Sequence, residues 1–161
     1  MKSSDASSSS GLETKIPPPV VVVLTAALMW WIARITPHLN LSYIARLNMA
    51  VVLALCGVAF AISGVIAFRR WNTTVRPEHP EKASALVNTG PYRYSRNPMY
   101  LGLLLILLAW TLYLAALWSL LGPVAFVLYI TRFQIIPEER ALLAKFGADY
   151  QRFCEAVRRW V

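Results

Sequence analysis

Between Arg96 and Arg132 the chain runs for 35 residues without an Asp, Glu, Lys or Arg. Few environments accept such a segment. As one helix it would be about 52 Å long at about 1.5 Å per residue, well beyond the roughly 30 Å of a bilayer's hydrocarbon core. It suits two short crossings joined by a tight turn. Trp110, Tyr113 and Trp118 lie near its midpoint, and such aromatics gather at membrane interfaces. The spacing predicts a helical hairpin turning near Leu114 to Trp118.

Two further uncharged runs, 16–33 (18 residues) and 47–68 (22 residues), each fit one crossing. The expected fold is therefore all-α: a polytopic membrane protein with about four transmembrane helices, at 18–36, 45–68, 98–115 and 117–136. One domain, 17–161, would hold them all. The composition agrees, being 57% apolar and only 15% charged with a mean hydropathy of +0.50, where a soluble domain carries about 25% charge. Ser-rich residues 1–16 read as a disordered tail, ended by Pro17-Pro18-Pro19. A cleaved signal peptide is the rival reading of the first run, but Met29-Trp30-Trp31 stands where a small-x-small cleavage site belongs.

The net charge of +8 is distributed as topology. The segment 69–96 carries six basic residues against two acids, and 132–161 carries six against four, whereas the predicted hairpin turn carries none. Basic residues stay on the cytoplasmic side. This places both termini, the connector 69–97 and the segment 137–161 in the cytoplasm, consistent with a bacterial inner membrane and anionic head groups. No nucleic-acid recognition motif accompanies the charge, and no nucleic-acid partner is expected. Cys56 and Cys154 are isolated, so neither a disulfide framework nor a metal site is suggested. His38 and His79 are isolated too, and Asn72-Thr73-Thr74 would be no glycosylation site on a cytoplasmic loop. In the second span Ala50, Ala54, Gly57, Ala61 and Gly64 recur at three and four, which lets helices approach closely in lipid. Cys56 beside them reads as a small buried hydrophobe.

Two polar segments interrupt the membrane pattern. Leu86 to Tyr100 joins a Gly90-Pro91 turn to the start of the third span. There Arg96, Asn97 and the open amides of a helix beginning at Pro98 make a positively polarised corner suited to a carboxylate or other anion. The second segment, Tyr129 to Arg140, places Arg132 near the end of the fourth span and Glu138-Glu139 just after Pro137. On a continuous helix Arg132 and Glu139 share a face. The plainer reading is that Arg132 snorkels to head groups while Pro137 and the two glutamates start an amphipathic helix. Leu142, Leu143, Phe146, Tyr150 and Phe153 supply the apolar stripe of that helix and of a second one after Gly147, running to Val157.

The pattern Leu86-Val87-x-x-Gly90-Pro91-Tyr92-Arg93-x-x-Arg96-Asn97-Pro98-x-Tyr100, followed by Glu138-Glu139 and Phe146-Gly147-x-x-Tyr150, resembles the isoprenylcysteine carboxyl methyltransferase and phospholipid methyltransferase superfamily. The likeness covers roughly residues 72 to 160. It implies an integral membrane methyltransferase using S-adenosylmethionine, with S-adenosylhomocysteine as product. It further implies that Leu86, Gly90, Tyr92, Arg96, Pro98, Tyr100, Glu138 and Glu139 line the cofactor pocket, and that Arg132 stands near the reacting centre; Asn97, between Arg96 and Pro98, is counted with the pocket by its position. The isoprenylcysteine enzymes usually have His where Asn97 stands, and another where Ser84 stands. A titratable group is absent here at both places.

The residues allow a division of labour. Methyl transfer from a sulfonium needs mainly proximity and orientation. Glu138 or Glu139 suits the cofactor's ammonium. Arg96, amides near Gly90 or the third helix start suit its carboxylate, and Tyr92, Tyr94 or Tyr100 its adenine. Arg132 would orient a carboxylate acceptor; an amine or thiol would need a base, for which Glu139 is the nearest candidate. No GxGxxG follows a strand, so a Rossmann-type enzyme is excluded. By the resemblance, the favoured acceptor is amphiphilic, a prenylated thiol or cysteine carboxylate. The rivals are a phospholipid head-group N-methyltransferase and a non-catalytic membrane scaffold. Four spans offer few walls for a lipid pocket, which leaves room for a second copy of the chain.

Overall fold

A computed structural model describes residues 16–70, 86 and 88–161, without the side chains of Phe68 and Arg70. The serine-rich tail 1–15, Asn72, His79 and Ser84 lie outside the described residues. Among the described residues six α-helices follow in order: α1 (Pro18–Ile35), α2 (Tyr43–Arg70), α3 (Pro98–Leu114), α4 (Leu121–Ile130), α5 (Ile136–Phe146) and α6 (Ala148–Ala156).

Three helical stretches are long and apolar enough to cross a bilayer: Pro18–Ile35, Tyr43–Ala67 and Leu117–Phe146. The apolar α3 is shorter at 17 residues, about 26 Å by the helical rise. It is the centre of the bundle, with α2 along one side and α1 and α4 along the other. Met29 of α1, Leu107 of α3 and Phe126 and Ile130 of α4 are fully enclosed where these helices meet.

The contact of α2 with α3 depends on small residues. A Cβ on Gly57 would lie 2.7 Å from the Gly102 carbonyl oxygen, and one on Gly102 would lie 2.7 Å from the Ala61 amide nitrogen. Backbone cannot yield at those distances, so both positions require glycine. The small-residue stripe read in the second span is therefore its packing face. Cys56 is a correction: it is exposed rather than buried. Its helix packs chiefly on α3, which leaves an outward stripe of Val52, Leu55, Ile62 and Ile66.

The hairpin turns where the aromatics indicated. Leu114 ends α3, Ala115 takes a left-handed conformation (φ 48°), and a 3-10 turn at Leu117–Leu120 leads into α4. An alanine there costs about 1–2 kcal/mol relative to right-handed backbone. The α1–α2 loop docks on this turn: the Leu39 amide donates to the Ala115 carbonyl at 2.7 Å, and His38 Nδ1 lies 3.2 Å from the Leu114 carbonyl. Trp118 and Tyr113 stay exposed at this end. Trp110, however, turns inward and donates to the Ala26 carbonyl of α1 at 3.1 Å.

The fourth span runs on into the next helix, which starts at Ile136 with Pro137 in its first turn. A π turn at Thr131–Ile135 carries α4 directly into α5, with the Ile136 amide reaching back to the Thr131 carbonyl. Pro137 lacks an amide and would crowd the carbonyl four residues back; widening the preceding turn accommodates it without a break. At 30 residues the stretch would reach about 45 Å, so it projects past the apolar layer. The positive-φ Gly147 (φ 52°) then reverses the chain into α6 as the spacing suggested.

Candidate active site

The two polar segments meet at the end of the bundle opposite the hairpin turn. A 3-10 turn at Gly90–Arg93, for which Gly90 takes φ 62°, delivers Tyr92 into a small apolar cluster with Ala67 and Phe153. Burial pushes the Tyr92 hydroxyl's pKa well above its ordinary value, and the Glu138 charge adds to the shift. Tyr92 therefore stays protonated throughout the physiological range. In the first turn of α3, the Tyr100 hydroxyl donates to Glu138 Oε1 at 2.5 Å. Tyr92, Tyr100 and Glu138 thus share one enclosed region, as the motif reading grouped them.

Glu139 points elsewhere. Its Oε1 accepts from Arg159 Nε at 3.0 Å and its Oε2 from Arg159 Nη2 at 2.7 Å. Arg96 Nη1 lies 3.2 Å from the same Oε1. Two guanidinium groups therefore flank one carboxylate, and the cluster carries a net charge of +1. The side chains of Arg96 and Glu139 are only 14% and 17% exposed, which limits screening by water. The Arg159 pKa is raised by its hydrogen bond to Glu139. Arg96 Nη1 also touches Cys154 Sγ, while Arg96 Nε is buried with no hydrogen-bond partner among the described residues.

The backbone after α6 holds this arrangement together. The Arg96 amide donates to the Arg158 carbonyl at 3.0 Å, and Asn97 Nδ2 donates to the Arg159 carbonyl at 3.0 Å. The buried Ser95 hydroxyl accepts from the Asn97 amide. Asn97 thus serves as a tether to the 157–161 strap, with no side-chain bond capping α3. The Trp160 indole donates to Thr131 Oγ1 at 3.2 Å, fastening the strap to the π turn.

Beside the cluster is a cavity of about 670 Å³ between the 86–93 segment and α6, within the size range of small-molecule sites. Leu86, Asn88, Arg93, Arg152, Phe153 and Val157 are among its walls. Phe153 joins it to the Tyr92 cluster.

The structure thus brings together Tyr92, Arg96, Asn97, Tyr100, Glu138 and Glu139, with Pro98 buried as the first residue of α3. Leu86 lines the neighbouring cavity and Gly90 is an exposed turn residue. Arg132 sits on the π turn with an exposed side chain and its guanidinium 5.5 Å from the Phe133 ring. Glu139 is paired with Arg96 and Arg159. Arg159 and the 157–161 strap went unrecognised in the sequence. The available signal was a basic pair, Arg158-Arg159, set against Trp160, and nothing in its spacing points to Glu139.

The profile of the family described as phospholipid methyltransferase matches residues 45–149, spanning α2 to the start of α6. The chain belongs to that family. It is grouped with the isoprenylcysteine-type membrane methyltransferases, in line with the motif reading. An uncharacterised protein of Haemophilus influenzae is 54% identical over 63 residues, which is 39% of this chain and the whole of that protein. No solved structure matches. Membership and the apolar helices together make this an integral membrane protein of a methyltransferase family.

Proposed function

We propose that the chain transfers a methyl group from S-adenosylmethionine to an amphiphilic acceptor at the membrane surface. The observation that carries this reading is the pairing of groups at the site: the buried Glu138 carboxyl group, hydrogen-bonded by Tyr100, and nearby a cluster with net positive charge around Arg96. A zwitterionic amino-acid end needs one of each. The cavity alongside, with Leu86, Phe153 and Asn88 in its walls, offers apolar surface and an amide for a nucleoside.

When bound, the cofactor supplies an electrophilic methyl group on a sulfonium, and its transfer leaves the thioether S-adenosylhomocysteine. The chain's own residues bind and orient. Glu138 would hold the cofactor's ammonium, with the Tyr100 hydroxyl fixing the rotamer of its carboxyl group. Arg96 would take the cofactor's carboxylate. Glu139 has both oxygens engaged by guanidinium groups, which supports an organising role for it and leaves Glu138 as the better candidate to accept a proton. Arg132, at the surface on the widened turn, orients the acceptor's polar head; π turns of this kind recur at functional positions.

Two acceptor classes follow from different observations. The family description and the net positive charge beside the site support a phospholipid head group, methylated on nitrogen. The motif likeness supports a prenylated cysteine, methylated on its carboxylate, or a prenylated thiol, methylated on sulfur. The test is transfer of labelled methyl from S-adenosylmethionine by purified protein in lipid nanodiscs. Label in mono- or dimethylated phosphatidylethanolamine selects the first, and label in a farnesylcysteine product the second. No label in either, from protein that is folded and monodisperse, would support the scaffold reading.

A further inference from the structure

The strap residue Arg159 stands outside every motif that the sequence offered, yet it makes the most extensive polar contact in the site. It gives Nε and Nη2 to Glu139, and its carbonyl is held by Asn97. A bidentate pair of this kind fixes a guanidinium plane. Arg96 approaches the same carboxylate from α3's side and keeps a buried Nε–H without an acceptor among the described residues. One carboxylate therefore neutralises one of two guanidinium groups and orients both. A buried charged donor left unpaired is costly, and the cluster as a whole is cationic. Its geometry is that of a preorganised anion receptor.

We propose that Arg159 and Arg96, aligned by Glu139, form an oxyanion-binding site. Its ligand is a carboxylate or phosphate group. This deepens the reading above by adding to Arg96 a second cationic group brought by the 157–161 strap. Two sources of that chemistry exist in the proposed reaction: the amino-acid carboxylate of the cofactor, and the phosphate of a phospholipid acceptor. Arg159 is 38% exposed, so a ligand can reach it from the aqueous side. The strap is pinned at Arg96, Asn97 and Thr131, so the site is built from three separate stretches of chain.

The test compares wild type with Arg159→Gln and Arg159→Lys, each checked for monodispersity and helix content. The probes are S-adenosylhomocysteine, methylthioadenosine (which lacks the amino-acid end) and vesicles of phosphatidylglycerol against phosphatidylcholine. Loss of roughly tenfold or more in S-adenosylhomocysteine affinity in Arg159→Gln, with methylthioadenosine unchanged and partial recovery in Arg159→Lys, is expected if the anion is the cofactor's carboxylate. Unchanged nucleoside binding with a loss of phosphatidylglycerol preference is expected if it is a lipid phosphate whose charge no cation of its own head group balances. Equal weakening of both nucleosides, or no change with any probe, overturns the proposal. If Arg159→Gln fails to fold, Arg159→Lys decides alone, since a monodentate ammonium should weaken the anion-bearing probe and spare the other. Wild type that binds neither nucleoside contradicts the cofactor reading itself and leaves the oxyanion site to be judged on the vesicle arm.

Discussion

Tyr100 and Glu138 meet across the junction of α3 and α5, hydroxyl to carboxylate at 2.5 Å, although 38 residues separate them in sequence. The bond joins the first helix of the hairpin to the extension of the second. It also holds the carboxylate to which the ammonium is assigned. Tyr100→Phe keeps the ring and removes the donor. A hydrogen bond to a charged group is worth about 1.5–3 kcal/mol, so thermal unfolding in detergent should show a lowered midpoint. An unchanged midpoint would mean the pair contributes nothing.

The close approach of α2 and α3 gives a second expectation. Gly102→Ala drives a methyl group against the Gly57 carbonyl and the Ala61 amide, and overpacking of this kind costs about 1–3 kcal/mol. Gly64→Ala meets the flexible Met99 side chain first, with the Met99 amide at an ordinary 3.4 Å, and should cost less. The two variants differ by one methyl each, so equal unfolding midpoints would contradict the packing described.

Orientation can be read by accessibility. The α1–α2 loop and the hairpin turn share one end of the bundle through the Leu39–Ala115 bond, and Arg93 lies at the other. In a background lacking Cys56 and Cys154, Ser42→Cys and Leu117→Cys should react with a membrane-impermeant maleimide in intact cells, and Arg93→Cys only after permeabilisation. Labelling of Arg93→Cys in intact cells would reverse the proposed topology.

Arg132 is assigned to the acceptor and not to the cofactor. Arg132→Ala should therefore lower turnover about tenfold or more, with S-adenosylhomocysteine affinity retained. A lost interaction of about 1.4 kcal/mol in the transition state corresponds to that factor. Normal turnover would remove Arg132 from the mechanism.

How far the chain can be read without a structure depends on the range of the interaction. Charge-free runs report on lipid directly, so the hairpin and its turn at Ala115 were legible from the gap between Arg96 and Arg132 and the aromatics within it. The glycine and alanine stripe of α2 was legible for the same reason: its period is local. Cys56 was misplaced because burial in a membrane helix depends on which side a neighbour lies, and α2 has its main neighbour on one side. Pro137 does begin a helix with Glu138 and Glu139 in its first turn, and the π turn before it joins that helix to α4. Tyr100, Glu138 and Arg96 were found as a pattern of residue types. Arg159 was not, since its meeting with Glu139 depends on the reversal at Gly147 and on the path of the strap along Arg96 and Asn97, neither of which has a periodic signature.

Glu138 is the residue proposed to hold the ammonium of an S-adenosylmethionine-type cofactor. The most direct measurement is calorimetric titration of S-adenosylhomocysteine into purified, detergent-solubilised protein, wild type against Glu138→Gln. Micromolar binding by wild type and a loss of about tenfold to a hundredfold in the variant, as expected for a charge-assisted contact of about 1.5–3 kcal/mol, is the expected result. Equal affinity in the two proteins, or no binding by a monodisperse and helical wild type, would contradict it.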